Sequence, residues 1–153
     1  MPSSLELVMD TWVLGCIADN DSLRALQGTS VLCDVHQSHR LALDAEGRIV
    51  KEYLQQISRS RLLKEWWRLM NAKSGKLSIK FARLTKIQLR HLVETIRFDP
   101  DDIPFVEVAS VTRDNILVSG ESDYSDEVKR YLDLEFGIRV LDLAQIREVL
   151  RSF

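Results

Sequence analysis

The chain has little of what marks disulfide-rich, zinc-binding or membrane proteins. Its two cysteines, Cys16 and Cys33, lie in apolar surroundings without metal-ligand spacing, so we expect buried free thiols and a reducing compartment. No apolar run approaches the length that spans a membrane. The first residues lack the basic and then apolar pattern of a secretory signal. The sequence therefore predicts a soluble, cytoplasmic protein with no membrane partner.

Several catalytic patterns are missing as well. There is no glycine-rich phosphate loop, which disfavours hydrolysis of nucleoside triphosphates, and no serine lies in a nucleophile-elbow pattern. His36, His39 and His91 show no ligand spacing. Asp10 is followed by Thr11 and Trp12 rather than by a second aspartate two residues on, which argues against a phosphoaspartate phosphatase.

Charge is small in total but unevenly distributed. The net charge is −2, yet residues 51–100 hold 12 Lys/Arg against 4 Asp/Glu, and residues 101–153 hold 6 against 12. A basic middle beside an acidic C-terminal third suits a nucleic-acid-binding lobe next to a metal pocket. The segment from residue 59 to 97 would steer a phosphate backbone. The candidate phosphate contacts are Lys64, Arg68, Lys73, Lys76, Lys80 and Arg83.

Short apolar runs alternate with helical patterns along the chain. Strands are predicted at residues 5–9, 40–44, 116–119 and 138–141. Helices are predicted at residues 12–27 (broken near 19–21 and ended by Gly28), 29–37, 49–57, 60–71, 85–96, a short stretch after Asp101 or Asp102, 126–136 and 144–150. Residues 29–37 would also fit a strand, but residues 40–44, which follow them, are the better strand candidate, so we favour a helix for 29–37.

This alternation predicts an α/β fold with a central, mostly parallel sheet flanked by helices. With 153 residues and 45% hydrophobic content, the chain is long enough for one domain with its own core. We therefore expect a single domain over residues 1–153, with a basic helical insert at roughly 58–97. Trp66 and Trp67 lie on an amphipathic helix, where packing is a better interpretation than stacking on bases.

The acidic residues fall where strands end. Asp10 closes the first predicted strand, Glu121 and Asp123 follow the strand at 116–119, and Asp102 lies in the Asp-Pro-Asp-Asp segment that opens a helix. Carboxyl ends of parallel strands meet at the edge where α/β folds bind ligands. Carboxylate oxygens are the ligands of Mg²⁺ and Mn²⁺. This pattern predicts a divalent-metal site and points to metal-assisted hydrolysis of phosphodiesters.

Each acid also has a simpler interpretation. Asp101 and Asp102 would serve as helix N-caps, and Glu52 alone fits a solvated helix residue. Asp10 is harder to explain in this way, because an unpaired acid at a buried strand end costs free energy unless something binds it. Taken together, the acids favour the metal site.

Four blocks of sequence share an order with a known family. They are Val-Met-Asp10-Thr, Ile-Val-Lys-Glu52-Tyr, Asp-Pro-Asp-Asp102-Ile-Pro-Phe-Val-Glu-Val-Ala and Leu-Val-Ser-Gly-Glu121-Ser-Asp123. No single block is specific, but the ordered set resembles the PIN-domain nucleases, and the resemblance extends from residue 5 to 150. It implies a three-layer PIN-like domain and a metal-dependent nuclease that usually acts on RNA.

Carried over to this chain, the resemblance implies a set of site residues. Catalytic positions would be Asp10, Glu52, Asp102 and Glu121, and the Mg²⁺ or Mn²⁺ ligands would be Asp10, Asp102, Glu121 and Asp123. Ser119 and Asp101 would contact those ligands without binding the metal themselves.

The chain departs from the family at Glu121, where the family has aspartate. The extra methylene places the carboxylate at a different depth, which favours manganese over magnesium. This leaves an alternative, a catalytically weak PIN-like module that binds nucleic acid or a partner protein. A toxin held by an antitoxin is a version of the nuclease reading, and a homo-oligomer is also compatible with the sequence.

Overall fold

The computed structural model describes residues 4–152, which fold around one parallel sheet. The strand order is β3-β2-β1-β4-β5, and every pairing is parallel. The strands are β1 (Glu6–Met9), β2 (Arg40–Asp44), β3 (Leu77–Lys80), β4 (Ile116–Val118) and β5 (Arg139–Leu141). The α/β fold with a parallel central sheet is confirmed.

The helices of this part of the chain occupy the connections between strands. They are α1 (Thr11–Ala18), α2 (Ser22–Ser38), α3 (Arg48–Ile57), α4 (Arg61–Ala72), α5 (Lys86–Arg90), α6 (Ile103–Val111), α7 (Asp126–Phe136) and α8 (Leu143–Arg151). A π-helical turn, His91–Thr95, continues α5, and a 3₁₀ turn, Pro100–Asp102, leads into α6. Because parallel crossovers are right-handed, the reversal in strand order places helices on both faces, consistent with a three-layer PIN-like arrangement.

The central strands are short, apolar runs because both of their faces are covered. All four residues of β1 and all three of β4 are buried, and α6 packs against β1, β2 and β4. Trp66 is also buried and donates a hydrogen bond from Nε1 to Leu32 O at 3.1 Å. The packing interpretation of this tryptophan is therefore confirmed.

The order of the strands creates a switch point between β1 and β4. The chain runs outward from β1 to β2 and β3, then returns to β4 and continues to β5 on the other side. The backbone N–H of Asp10 donates to Val118 O at 2.9 Å, so the carboxyl ends of the two strands are adjacent. Such a switch point opens a crevice at the sheet edge.

Gly28 does not end a helix, contrary to the prediction. It lies inside α2, where a Cβ would lie 3.2 Å from two side-chain carbons of Ile17. The glycine therefore marks the close approach of α1 and α2. A residue that often ends helices serves here to let two helices pack.

The helical insert predicted at 58–97 is wrong over residues 77–80, which form β3 at one edge of the central sheet. This strand is short and only partly buried, so its sequence lacks the apolar run of β1 or β4. The prediction of two buried cysteines is wrong for Cys33, which is exposed, and right for Cys16. No helix within residues 4–152 is long and apolar enough to cross a membrane.

Lys76 is buried and serves the fold rather than the surface. Its Nζ donates to His39 O at 2.8 Å and to Val35 O at 3.3 Å, and 7% of the residue is exposed. Burial lowers the pKa of this amine. Its prediction as a phosphate contact is therefore wrong, because the ammonium is already used by two backbone carbonyls at the C-terminal end of α2.

We expect Lys76→Ala to lower the free energy of unfolding by about 1–3 kcal/mol, because His39 O loses this donor and Val35 O keeps only the His39 N–H. Urea denaturation followed by circular dichroism measures this effect. Lys73→Ala removes an exposed lysine three residues earlier and should change stability by less than about 0.5 kcal/mol. Equal stability of the two variants would contradict the structural role of Lys76.

Candidate metal centre

Three carboxylates meet at the switch point. Asp10 follows β1, Glu121 lies in the loop after β4, and Asp102 ends the 3₁₀ turn before α6. One oxygen from each lies within 4.8 Å of the other two. Asp10 is 2% and Asp102 is 6% exposed. The sequence-based prediction that these three acids converge is confirmed by this geometry.

Ser119 fixes the position of Asp10 relative to the loop after β4. Its Oγ donates to Asp10 Oδ2 at 2.6 Å and accepts a hydrogen bond from the Glu121 backbone N–H at 3.1 Å. One buried hydroxyl thus connects the ends of two neighbouring strands. The supporting position predicted for Ser119 agrees with these contacts.

Gly120 allows the Glu121 loop to lie against Trp12. A Cβ at Gly120 would lie 2.4 Å from the Trp12 ring, which is closer than any side chain can approach. The guanidinium carbon of Arg24 lies over the same ring, 5.6 Å from its centre. The Trp12 ring therefore packs directly against the loop backbone at Gly120, where no side chain larger than that of glycine fits.

A second group of acids shares Asp102. One oxygen each of Asp99, Asp102 and Asp123 lies within 4.8 Å of the others. Asp99 was missed as a site residue, although the signal was present in the sequence. In a 3₁₀ turn the side chains of residues three apart lie above one another, which brings Asp99 beside Asp102.

Asp102 does not act as a helix cap. Its side chain makes no capping hydrogen bond to α6, and the cap of the preceding turn is Asp99, whose Oδ1 accepts from the Asp101 N–H at 2.9 Å. Asp102 Oδ2 is buried without a hydrogen-bond partner among the described residues. The cap interpretation of Asp102 is therefore excluded, and a buried oxygen facing other acids requires another explanation.

Two further buried hydroxyls near the acids also lack partners in the described part of the chain. They are Thr11 Oγ1 and Tyr124 OH. Burial raises the pKa of Tyr124, and the charges of Asp10, Asp102, Glu121 and Asp123 raise it further. Neither hydroxyl was predicted from the sequence, since nothing in a linear pattern shows which hydroxyls lose their partners on folding.

Burial shifts the titration of Asp10 and Glu121. It raises the pKa of Asp10 to about 6 and that of Glu121 to about 7. Interaction with Glu121 opposes the rise at Asp10, whereas interaction with Asp10 adds to the rise at Glu121. Oxygens of the two carboxyls lie within 4.8 Å of each other, so in the absence of a cation the raised pKa values favour a proton on this pair.

Asp102 experiences both burial and repulsion. Burial raises its pKa to about 7, and the charges of Glu121, Asp99, Glu52 and Asp123 add to the rise. The two effects act in the same direction, because both disfavour the ionised form. A bound cation would reverse this balance by stabilising the carboxylates.

Glu52 and Asp101 lie at the rim of the site. Both line a cavity of about 360 Å³ that also contains Asp10, Asp102 and Glu121. Burial raises the pKa of Glu52, and the charges of Asp101, Asp99 and Glu121 raise it further. Neither Glu52 nor Asp101 belongs to the two close groups found among residues 4–152. The geometry thus brings them near the site without making them metal neighbours.

The predicted phosphate-contacting cations do not line this cavity in the described structure. Lys64 and Lys73 are exposed, and Arg68 pairs with Glu65. Lys80 pairs with the buried Glu6 at 3.2 Å. Arg83 pairs with Glu46 and lies 3.8 Å from Glu107. Of these six cations only Lys76 is buried. For the other five, contact with phosphate stays a prediction.

Comparison with protein-family models and with curated proteins finds no match for this chain. The resemblance to PIN-domain nucleases therefore stays an expectation from the sequence.

The donor set fits a divalent cation. Oxygens bound to one ion at 2.0–2.6 Å are at most about 4–5 Å apart, which agrees with the 4.8 Å limit of each group. All the donors are carboxylates, which suits hard cations rather than zinc or copper. The unpartnered Asp102 oxygen is what a bound ion would satisfy.

We expect the metal-free protein to lose stability as pH rises from about 4 through 7, to the extent that Asp102 contributes. Its folded pKa of about 7 exceeds the ordinary 3.8, so the folded state holds a proton that the unfolded state has released. Asp102→Asn removes this group. The stability of the variant relative to the parent should therefore increase between pH 4.5 and 7.5 by at least about 1 kcal/mol, the value of one pKa unit.

Chemical denaturation in EDTA across this pH range measures that difference. The comparison between variant and parent cancels the contributions of other titrating groups. A difference that is independent of pH would contradict a raised pKa for Asp102.

Proposed function

We propose that this protein is a divalent-metal-dependent nuclease that hydrolyses phosphodiester bonds, with RNA as the expected substrate. The observation that carries the proposal is Asp102, a buried carboxylate with an unpartnered oxygen that is shared by two close groups of acids. Asp10 and Glu121 complete one group, and Asp99 and Asp123 the other.

The proposed ligands fall into two sets. Asp10, Asp102 and Glu121 would hold one Mg²⁺ or Mn²⁺ ion, and Asp99, Asp102 and Asp123 are placed for a second. Such ions activate water and stabilise charge on a phosphate, and a carboxylate common to both groups suits a two-ion arrangement. Within the chain, Ser119 orients Asp10 by its 2.6 Å hydrogen bond, and Glu52 at the rim faces incoming substrate or water.

The chemical class of the substrate follows from charge. A site built only of carboxylates repels anions until cations occupy it, so a phosphate ester gains affinity only with metal. Nothing in the donor set selects a sugar or a base. RNA as the expected substrate, and a toxin function held by an antitoxin, come from the family resemblance alone.

Metal binding and cleavage are tested together. We expect Mn²⁺ to bind the parent protein and binding to weaken at least tenfold in Asp102→Asn, because that residue serves both groups. Isothermal titration calorimetry measures binding, and labelled single-stranded RNA and DNA report cleavage with Mg²⁺ or Mn²⁺. Asp10→Asn should abolish cleavage without loss of folding.

Asp126→Asn is the matched control, because Asp126 is an exposed acid in the first turn of α7, outside both groups. It should bind and cleave like the parent. Cleavage by Asp10→Asn at the parent's rate, or Mn²⁺ binding that survives Asp102→Asn unchanged, would contradict the proposed site.

Glu121 sets the metal preference. The longer side chain of Glu121 places an oxygen within 4.8 Å of an Asp10 oxygen, and octahedral Mg²⁺ tolerates little displacement of its ligands. We expect cleavage to be faster with Mn²⁺ than with Mg²⁺, and Glu121→Asp to narrow that difference. Initial rates with each ion, for parent and variant, provide the measurement. A parent that prefers Mg²⁺ would contradict the argument.

One observation favours a second function. Asp10 and Glu121 have raised pKa values and oxygens within 4.8 Å of each other, so a proton instead of an ion could stabilise two of the three acids of the first group. A catalytically weak module that binds nucleic acid or a partner protein would keep this arrangement. Polynucleotide binding without cleavage in either metal, by both the parent and Glu121→Asp, would favour it.

A further inference from the structure

The acid cavity continues into a groove. A neighbouring cavity of about 580 Å³ shares Glu52 and Asp101 with it and extends to Arg48 and Pro100. A third, of about 660 Å³, shares Arg48 and Pro100 in turn and reaches α5. The three cavities therefore follow one another along the surface, with the acid centre at one end.

The far part of the groove carries positive charge. Its cations are Arg48, Lys51, Arg83, Lys86 and Arg90. Arg48 and Arg83 are held by the buried Glu107, at 2.7 and 3.8 Å, and both also pair with Glu46.

Three of these cations have no ion pair among residues 4–152. Lys51, Lys86 and Arg90 are exposed and lie more than 4 Å from any carboxylate of the described chain. Lys86 and Arg90 are four residues apart on α5, so they share one face of that helix. Glu94, which also lines the third cavity, offsets one of these charges, and the positive charge of the groove rests on these three residues.

The walls of the third cavity are partly apolar. Leu89, Val93 and Ile103 line it between the charged side chains. Phosphate groups would contact the cations, and sugar and base faces would contact these apolar groups. Base faces are exposed in a single strand and stacked away in a duplex.

We propose that this groove binds a single-stranded polynucleotide, whose phosphates lie against Lys51, Lys86 and Arg90 and whose chain leads into the acid centre. The inference rests on the proposed nuclease function, for which it gives the path of the substrate. Of the six phosphate contacts predicted from the sequence, Arg83 lines the groove, whereas Lys64 and Arg68 of α4 do not.

Binding in EDTA tests the groove separately from catalysis. The probe is a fluorescently labelled single strand of about 12 nucleotides, as RNA and as DNA, measured by anisotropy between 50 and 200 mM salt. The main variant is Lys86→Gln/Arg90→Gln, and Lys51→Gln tests the nearer part of the groove. The matched control is Lys129→Gln/Arg130→Gln, two adjacent exposed cations of α7 that line none of the three cavities.

We expect the main variant to bind roughly tenfold more weakly than the parent at 50 mM salt. This loss should shrink by about sevenfold at 200 mM, since each phosphate contact in a single strand changes the affinity about 2.6-fold over this salt range. The slope of log K against log salt should fall by about 1.4 for two contacts in a single strand. Lys51→Gln should produce about half that change in slope. The control pair should bind like the parent.

Three results would overturn the proposal. They are parent-like binding by the groove variants, a larger loss from Lys64→Gln/Arg68→Gln on α4 than from the groove pair, and tighter binding of duplex or polyglutamate than of the single strand. A cleavage assay with Mn²⁺ keeps the two proposals apart. If the groove variants lose binding but the parent cleaves neither RNA nor DNA, the groove is supported and the proposed nuclease function is contradicted. If the parent cleaves and the groove variants bind like the parent, the nuclease function is supported and the groove is contradicted.

Discussion

The structure depends on how it tolerates several carboxylates of like charge in one buried place. Asp10 and Asp102 are almost fully buried, and Glu121 is close enough to share a proton with Asp10. Burial and repulsion raise the pKa of Asp102 to about 7. The buried cluster is therefore stable only when protons or a cation reduce its negative charge. The acids lie close enough to bind a metal ion, and a bound cation would offset this cost and satisfy the unpartnered Asp102 oxygen.

The fold holds these acids on different elements, and each is fixed by backbone geometry. Asp10 is joined to β4 through Val118 O, and Ser119 links it to the loop that carries Glu121. Gly120 lets that loop lie on Trp12. Because strand ends and a helix start carry these acids, the separation of the acids is set by the backbone of the fold rather than by flexible side chains.

The parts of the fold that follow from local chemistry were predictable. Buried strands show as apolar runs in β1 and β4, and Ser125 caps α7 as its position suggests. Features that depend on tertiary contact were not, since β3 is a half-buried edge strand and Gly28 reflects a neighbouring helix. The same holds for the site, where the acids at strand ends could be predicted from the sequence. Asp99 could not, because only the 3₁₀ turn places it beside Asp102. Lys76 was predicted as a surface cation because its backbone carbonyl partners are distant in sequence.

The charges along the groove link the proposed metal centre to the proposed binding of a polynucleotide. Glu52 and Asp101 lie where the acid cavity meets the groove, so a phosphate chain leading from Lys51 into the centre must pass two carboxylates. Bound cations reduce this repulsion, and they therefore raise the affinity for the chain. By thermodynamic reciprocity, the bound chain raises the affinity for the cations by the same factor. The basic and acidic segments seen in the sequence would then act together, since each ligand strengthens the binding of the other.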